Sequence, residues 1–288
     1  MLNYHLLDQF IDVALAEDVG SGDHTSNACI SEDSRTEAYL LIKDVGVLAG
    51  VEIAEKIFRK LDPDLTFTPL IADGTDIKTG EVAFEMNCNT RKMLMGERLA
   101  LNLMQRLSGI ATTSSRFALE VEDLPVKILD TRKTTPQIRF LEKWAVKIGG
   151  CHNYRSGLYD RIMIKDNHID SCGSVTEAIY SVHQYLEEKD LDLSITVEVR
   201  NLVELHEVLN TGGIHRIMMD NFEIPLLREA VSTINKQFET EASGGIHLYN
   251  IREYAVTGVD FISVGALTHS AGILDLSLKT GKFEHSYG

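Results

Sequence analysis

The chain has 288 residues, 44% of them hydrophobic, with only five prolines and a formal net charge of −15. This length fits two domains, or one barrel-sized domain with an addition, and the composition is that of a compact globular protein without a linker. The acidic charge argues against a general nucleic-acid or anionic-membrane binder, because phosphates are repelled except at local basic clusters.

The sequence indicates neither a secretion signal nor a membrane span. The first ten residues lack a basic-then-apolar pattern, and no apolar run approaches the roughly 18 residues of a spanning helix. The four cysteines form no C-x-x-C pair, so neither a zinc site nor a disulfide framework is indicated. We expect a cytoplasmic protein with no nucleic-acid or membrane partner.

A first amphipathic helix is predicted over residues 4–17. The stretch EDVGSGDHTS then ends it with two glycines and several capping residues. Asp18, Asp23 and His24 in this stretch could bind a metal, but a turn followed by a helix N-cap explains the same residues and is favoured.

Strands and helices alternate in the following segment. Strands are expected at EAYLLIK, LTFTPLI and EVAFEMNCN, a helix at VEIAEKIFRKL, and a turn at GTDIKTGE. A long helix is predicted from about residue 91 to residue 108, with its end or a break at Gly109. Residues 1–115 are therefore assigned to a small α/β sandwich domain, on which the C-terminal tail, residues 271–288, is a candidate to pack.

A repeated strand–helix pattern characterises residues 116–270. Six short apolar strands, VKIL, RIMI, SITVEV, HRIMM, FETEA and DFISV, alternate with helical patterns around 136–148, 174–188, 201–210, 223–236 and 248–256. Such alternation predicts a parallel sheet covered by helices. Six units in succession favour a closed or nearly closed α/β barrel, and an open sheet is the alternative that periodicity leaves.

A basic segment runs from Asp130 to Lys165. It holds eight Lys and Arg against three Asp and Glu, a balance of +5, so the rest of the chain carries about −20. This segment suits a small anion. A basic helix face is the alternative, because Arg139, Lys143 and Lys147 repeat at helical spacing.

Polar or small residues stand at the ends of all six predicted barrel strands. In chain order they are Thr131, Arg132 and Lys133, then Lys165, then Glu198, then Asp220, then Ser243, Gly244 and Gly245, and finally Gly265 and Ala266. In a parallel barrel these ends converge at one mouth, where the site of such a fold is built.

The chemistry of this mouth fits a phosphorylated sugar together with an acidic co-substrate. The late glycines suit a phosphate, because glycine lets backbone N–H groups approach an oxyanion. Arg132 and Arg155 can each bind a carboxylate through two hydrogen bonds, and the neighbouring lysines add charge beyond the need of one phosphate. Glu198 and Asp220 can accept hydrogen bonds from sugar hydroxyls, hold hydrated Mg²⁺ beside a diphosphate, or stabilise a developing cation.

These residues belong to motifs that resemble those of the quinolinate phosphoribosyltransferase family. The motifs are EDVGSGD, GERLALN, DTRKT, GG-x-x-N-x-R-x-GL, IKDNH, VEV, DNF, SGGI and TGVD-x-I-S-VGALTHS, in the family's order over nearly the whole chain. The resemblance implies an incomplete (β/α) barrel with an N-terminal open-faced α/β sandwich domain, in a head-to-tail homodimer. It also implies Mg²⁺ and the conversion of quinolinate and 5-phosphoribosyl 1-diphosphate into nicotinate mononucleotide, diphosphate and CO₂ in de novo NAD biosynthesis.

The resemblance also implies roles for individual residues. Substrate contacts are expected from Arg98, Thr131, Arg132, Lys133, Tyr154, Arg155, Lys165, Glu198, Asp220, Ser243, Gly244, Gly245, Gly265, Ala266 and His269. Among these, two arginines and a lysine, Arg132, Arg155 and Lys165, bind the quinolinate carboxylates, and Arg98 reaches the same pocket from the partner subunit. The 5-phosphate is bound by Ser243, Gly244, Gly245, Gly265 and Ala266, with His269 close by.

Catalytic roles fall to Lys133, Glu198 and Asp220. Lys133 lies near the reacting centre and the diphosphate, and the two carboxylates hold the ribose hydroxyls and the metal-bound sugar diphosphate. No residue is a certain metal ligand, because Mg²⁺ is expected mainly through the diphosphate, near Glu198 and Asp220.

One position departs from the family, which commonly has Asn-His-Arg where this chain has Asn153-Tyr154-Arg155. A tyrosine can donate one hydrogen bond but cannot become cationic near neutral pH. We expect Tyr154 to replace the histidine's contact with the substrate by a neutral one, which affects substrate affinity and the pH profile.

Three alternatives stay open. A relative with another acceptor, such as nicotinate, would release no CO₂. A Schiff-base lyase would use Lys165 or Lys133 as its nucleophile. A non-catalytic phosphate-sugar binder would bind without turnover, because a fold alone does not establish an activity.

Overall fold

The structure is a computed structural model that describes residues 2–283. The chain forms two compact units: the described parts of 1–115, 135–150 and 270–288 make up the first, and residues 116–134 and 151–269 make up the second. No helix within residues 2–283 is long and apolar enough to cross a membrane.

Helices and strands alternate along most of the chain. The helices are α1 (Tyr4–Val19), α2 (His24–Cys29), α3 (Val51–Leu61), α4 (Thr90–Leu119), α5 (Arg139–Ile148), α6 (Asp166–Cys172), α7 (Val175–Lys189), α8 (Leu202–Thr211), α9 (Ile224–Ile234), α10 (Ile251–Ala255) and α11 (Ala266–His269). The strands are β1 (Arg35–Ile42), β2 (Gly46–Val47), β3 (Thr66–Pro69), β4 (Asp76–Ile77), β5 (Val82–Asn89), β6 (Lys127–Leu129), β7 (Ile162–Ile164), β8 (Ile195–Val199), β9 (Arg216–Asp220), β10 (Glu239–Ser243), β11 (Phe261–Ser263) and β12 (Leu276–Thr280).

The first unit contains an antiparallel sheet in the order β12-β1-β5-β3. Alternate residues of β1, namely Ala38, Leu40 and Ile42, are buried, whereas those between them keep solvent exposure. Because side chains alternate across a strand, one face of the sheet carries the core and the other stays open. This arrangement confirms the predicted open-faced α/β sandwich.

The capping interpretation of the segment around Asp23 is also confirmed. The Asp23 side chain accepts a hydrogen bond from the Ser26 backbone N at 2.9 Å and caps α2. Within residues 2–283, no group of three or more His, Cys, Asp or Glu side chains is arranged to hold a metal ion.

The predicted helix end at Gly109 is wrong, because α4 continues to Leu119. A Cβ atom built on Gly109 would lie 1.9 Å from the carbonyl oxygen of Gly272. Farther along the same segment, the Leu274 backbone N donates to the Gln105 carbonyl at 3.0 Å. Gly109 therefore admits a distant backbone segment against the helix instead of ending it.

Residues 135–150, which the sequence places in the barrel domain, group with the first unit. On α5, the fully buried Glu142 accepts hydrogen bonds from Arg106 of α4 at 3.0 and 3.2 Å. A Cβ atom on Gly149 would lie 2.2 Å from the Ala111 carbonyl oxygen, so the end of α5 packs closely on α4. These contacts join residues distant in sequence, which explains why local patterns miss them.

The C-terminal tail contributes a strand to the first unit. There, β12 pairs with β1, with Ala38 opposite Thr280 and Ile42 opposite Leu276. The last residues of the predicted tail, 284–288, lie outside the described residues.

The second unit contains a six-stranded parallel sheet in the order β6-β11-β10-β9-β8-β7. The two end strands, β6 and β7, follow each other in the chain, so this order is a ring opened between them. An isolated bridge joins Leu129, the last residue of the end strand β6, to His152. The expected incomplete (β/α) barrel is confirmed, with all six predicted strands present.

Gly109→Ala tests the close approach to α4. Helix propensity alone predicts a gain of about 1 kcal/mol, but the clash with Gly272 predicts a loss of about 1–3 kcal/mol in the free energy of unfolding. The measurement is urea denaturation of both proteins. Gly272→Ala is the matched control, since its Cβ would meet nothing within 4 Å. A Gly109→Ala protein more stable than the wild type would contradict the packing described here.

Candidate active site

The carboxyl ends of the barrel strands surround a cavity of about 880 Å³. Fourteen of the fifteen substrate-contacting residues expected from the sequence line it. They are Thr131, Arg132, Lys133, Tyr154, Arg155, Lys165, Glu198, Asp220, Ser243, Gly244, Gly245, Gly265, Ala266 and His269. The fifteenth, Arg98, is an exposed residue of α4 in the first unit and does not line this cavity.

The basic segment divides between the two interpretations that its charge allowed. Arg139, Lys143 and Lys147 lie on α5, in the first unit, as a helix pattern predicts. Four other basic residues of the segment, Arg132, Lys133, Arg155 and Lys165, line the cavity of the second unit. The helix-face interpretation is therefore confirmed for the residues on α5, and the anion-site interpretation stays a prediction for the residues that line the cavity.

Three cations of the cavity have no carboxylate partner within residues 2–283. They are Arg132, Lys133 and Arg155, and the buried Nε atom of Arg132 also has no hydrogen-bond acceptor there. The pKa of Arg155 is lowered from its usual value, first by burial and then by the neighbouring Arg132. A cluster of like charges that lack an ion-pair partner is suited to bind anions.

The fourth cation, Lys165, is paired. Its Nζ atom donates a hydrogen bond to Oε2 of Glu198. The neighbouring strands β7 and β8 place Lys165 beside Glu198, because the residues just before them, Ile164 and Val197, are paired. The Lys165 side chain is 40% exposed, so the pair contributes little stability and a ligand can replace either partner at low cost.

The next strand end carries Asp220 and Asn221. Asn221 Nδ2 donates to Asp220 Oδ2 at 2.7 Å, and the Asn221 backbone N donates to the Ser243 carbonyl at 2.8 Å. Gly244 has a φ of +96°, and a Cβ atom on it would lie 2.2 Å from Asn221 Oδ1. Only glycine lets the two loops approach so closely.

The loop after β11 is held against the loop after β6. Thr268 Oγ1 donates to the Lys133 carbonyl at 2.8 Å. A Cβ atom on Gly265 would lie 3.0 Å from both the Lys133 and His269 side chains. Lys133 is thereby fixed beside the glycine-rich loops that the sequence assigns to a phosphate.

Tyr154 lines the cavity, but its hydroxyl points to the barrel interior. The hydroxyl lies 2.7 Å from Oγ1 of the fully buried Thr196, and either oxygen can donate. The Tyr154 pKa is raised from its usual value, first by burial and then by the Glu241 carboxylate. The side chain therefore stays neutral over the physiological pH range.

Six further cavity residues are absent from the sequence-based set. They are Met163, Met218, Asn221, Ile246, His247 and Ser263. Asn221 and Ile246 directly follow an expected residue in the chain, and His247 follows Ile246. The others lie two positions before Lys165, Asp220 and Gly265, so strand alternation was a signal that could have found them.

Family models match almost the whole chain. Residues 23–108 match the N-terminal domain of quinolinate phosphoribosyl transferase, and residues 110–279 match its C-terminal domain. The chain is 44% identical to quinolinate phosphoribosyltransferase (decarboxylating) 1b of Nicotiana tabacum, over 93% of this chain and 81% of that protein. It is 40% identical to a probable nicotinate-nucleotide pyrophosphorylase (carboxylating) of Synechocystis sp., over 95% of this chain and 92% of that protein.

Solved structures show the same fold. The crystal structure of NadC from Streptococcus pyogenes superposes with a TM-score of 0.90 at 35% identity, covering 98% of this chain and 99% of that one. A nicotinate-nucleotide pyrophosphorylase from Francisella tularensis superposes with a TM-score of 0.90 at 34% identity, covering 98% of both chains. This chain therefore belongs to the quinolinate phosphoribosyltransferase family.

Proposed function

We propose that this chain transfers the phosphoribosyl group of 5-phosphoribosyl 1-diphosphate to quinolinate with decarboxylation, which yields nicotinate mononucleotide, diphosphate and CO₂. It is thus a pentosyltransferase of NAD biosynthesis. The observation that carries this proposal is the cluster of three unpaired cations beside glycine-rich loops in one cavity of about 880 Å³. The names of the relatives describe the same reaction.

Quinolinate is the acceptor that best matches the cations. It carries two carboxylates on adjacent ring carbons, one of them beside the ring nitrogen. Arg132 and Arg155 bind these carboxylates through paired hydrogen bonds, which a guanidinium forms and an ammonium does not. Lys165 adds a third positive charge, and its present partner Glu198 becomes available to the sugar.

The glycine-rich loops of the cavity suit the sugar phosphate. Ser243, Gly244 and Gly245 follow β10, and Gly265 and Ala266 follow β11. Their backbone N–H groups can donate to the 5-phosphate because the glycines leave room for it. His269, at the end of the short helix α11, lines the same region.

The chemistry then follows from charge and position. The bond between C1 of the sugar and the diphosphate oxygen breaks, and the ring nitrogen forms the new bond to C1. Glu198 and Asp220 stabilise the positive charge that develops on the sugar. Because both reactants are fixed in one cavity, most of the entropic cost of their encounter is already met.

Decarboxylation follows ribosylation. The ring nitrogen, now positively charged, stabilises the electron pair left on the ring when its bond to the carboxylate carbon breaks. CO₂ leaves, and a proton takes its place on the ring carbon.

Mg²⁺ fits this site as an ion that arrives with the diphosphate. Mg²⁺ keeps several waters and usually takes one or two carboxylates together with substrate phosphates. Glu198 and Asp220 are two carboxylates that line the cavity, and no three-ligand cluster exists within residues 2–283. These two side chains would hold the ion, which neutralises charge on the departing diphosphate when bound.

We also propose a homodimer in which Arg98 contributes to the partner's cavity. The support is that Arg98 lies in the GERLALN motif with an exposed side chain, and that the cavity of its own chain has fourteen of the fifteen expected residues without it. A cytoplasmic location is proposed as well. It is supported by Cys29, Cys88 and Cys172, which form no disulfide, as a reducing compartment favours, and cell fractionation tests it.

The reaction is tested with quinolinate labelled in its 2-carboxylate, supplied with 5-phosphoribosyl 1-diphosphate and Mg²⁺. We expect labelled CO₂ and nicotinate mononucleotide to appear in equal amounts, and neither to appear without the sugar diphosphate. Nicotinate is the comparison acceptor, because its ribosylation releases no CO₂. Turnover of nicotinate in preference to quinolinate, or no turnover of either, would overturn the proposal.

The shared site is tested by mixing two inactive variants, Arg98→Ala and Lys133→Ala, under conditions that exchange subunits. Each mixed dimer regains one intact site, so about a quarter of the wild-type activity is expected from random exchange. The matched control mixes Arg132→Ala with Lys133→Ala, which lie in the same cavity and cannot complement. Equal activity in the two mixtures would exclude a contribution of Arg98 across the interface.

A further inference from the structure

A layer of buried polar residues lies inside the barrel, two positions earlier along each strand than the residues that line the cavity. Thr196 shares a strand face with Glu198, and Glu241 shares one with Ser243, because side chains alternate along a strand. Arg216 likewise shares a face with Asp220. Thr196 and Glu241 are fully buried, and Arg216 is 4% exposed.

The charges of this layer are paired with one another. Arg216 donates to Glu241 at 2.9 Å and to Glu239 at 2.8 Å. Ser263, which also lines the cavity, donates to Glu241 at 2.5 Å. Such a network is rigid when each member has a partner, and it offers fixed points of attachment.

Tyr154 is attached to this layer at its ring and at its hydroxyl. Its ring centroid lies 5.2 Å from the guanidinium carbons of Arg216 and Arg161. Its hydroxyl lies 2.7 Å from Thr196 Oγ1. Its backbone N donates at 2.8 Å to the carboxylate of Asp130, which is fully buried.

We propose that Tyr154 is a positioning residue, which fixes Arg155 for carboxylate binding through the hydrogen bond between its own hydroxyl and Thr196. This inference rests on the proposed function and revises the expectation that Tyr154 contacts the substrate directly. It also assigns a role to Thr196, which does not line the cavity.

The need for such an anchor follows from the backbone around Arg155. Residues 153–156 form neither helix nor strand, so no ladder of backbone hydrogen bonds holds them. The Arg155 side chain has no ion pair among the described residues either. After Arg155 the segment is held by Asp160, which accepts from the backbone N of Ser156 at 2.7 Å and of Gly157 at 3.0 Å. Tyr154 is the anchor on the side before Arg155, so the position of Arg155 depends in part on how Tyr154 is held. Paired hydrogen bonds to a carboxylate tolerate only small displacements, so a looser Tyr154 weakens the acceptor's binding.

A double-mutant cycle tests this link. Tyr154→Phe and Thr196→Val each remove one partner of the same hydrogen bond and nearly preserve side-chain volume. We expect each to raise the KM for quinolinate about three- to tenfold, the range that one hydrogen bond supports. The KM for the sugar diphosphate stays within about twofold. The double variant is no worse than the poorer single variant, because both changes break one interaction.

Two control variants separate this link from a general effect on the barrel. Thr196→Ser keeps the hydroxyl and is expected to restore the wild-type KM. Thr240→Val removes another buried strand hydroxyl, one that donates to Asp260 at 2.7 Å and faces away from this layer. It is expected to leave the KM for quinolinate unchanged.

Several results would overturn the proposal. A raised KM in Tyr154→Phe with an unchanged KM in Thr196→Val would indicate direct contact with the substrate. Additive effects would show two independent roles, and a parallel rise in both KM values would show a general loss of structure. Crystal structures of the wild type and Thr196→Val without substrate give a test that does not need turnover. We expect Arg155 to be displaced in the variant, and an unmoved Arg155 would contradict the inference even if quinolinate is not the substrate.

Discussion

Like charge held together without ion-pair partners is the constraint on which this site depends. Arg132, Lys133 and Arg155 meet at the mouth of the barrel, and no described carboxylate is paired with them. Partial burial and, after it, repulsion by Arg132 act against this arrangement, and both lower the pKa of Arg155. Two hydrogen bonds to the backbone fix the segments that carry these cations. The buried Asp130 binds the backbone of the segment that carries Arg155, and Thr268 binds the loop that carries Lys133.

The unpaired cations at the mouth differ from the buried charges of the protein, which are paired with one another. One strand step deeper, Arg216 is paired with two glutamates and is almost fully buried. In the first unit, Arg106 is paired with the buried Glu142. Removal of one partner from such pairs is costly because it leaves a buried charge alone. The cations at the mouth gain a partner only when a ligand binds. An anion therefore relieves the unfavourable free energy of the unpaired cations, and this relief adds to its affinity.

Much of this architecture could be predicted from the sequence because it depends on local periodicity. Six strands with polar ends locate the barrel mouth, and alternation along those strands selects the residues that face it. What local patterns miss are contacts between distant residues. Gly109 has the signature of a helix end, yet it serves the approach of Gly272. The sequence likewise does not show which arginine is paired, since Arg155 and Arg216 differ only in what the fold brings near them.

Tyr154 shows the same limit at the level of one side chain. Its position in the motif suggests a contact with the substrate, whereas its hydroxyl is directed to Thr196, 42 residues away in the chain. A residue can therefore line a binding cavity and still act through the core. This distinction matters for the family's motif, which commonly has a histidine at this position. A change between histidine and tyrosine alters the contacts that hold Arg155 in place as well as the surface that faces the substrate.

The central claim is that the unpaired cations recognise two adjacent carboxylates. Isothermal titration calorimetry with phthalate and benzoate tests it directly, on protein saturated with 5-phosphoribosyl 1-diphosphate and Mg²⁺. Phthalate carries two adjacent carboxylates but lacks the ring nitrogen that reacts, and benzoate carries one. The account predicts that phthalate binds at least about tenfold more tightly, since hydrogen bonds between charged groups add about 1.5–3 kcal/mol. Equal affinity for the two acids, or no binding of phthalate, would contradict it.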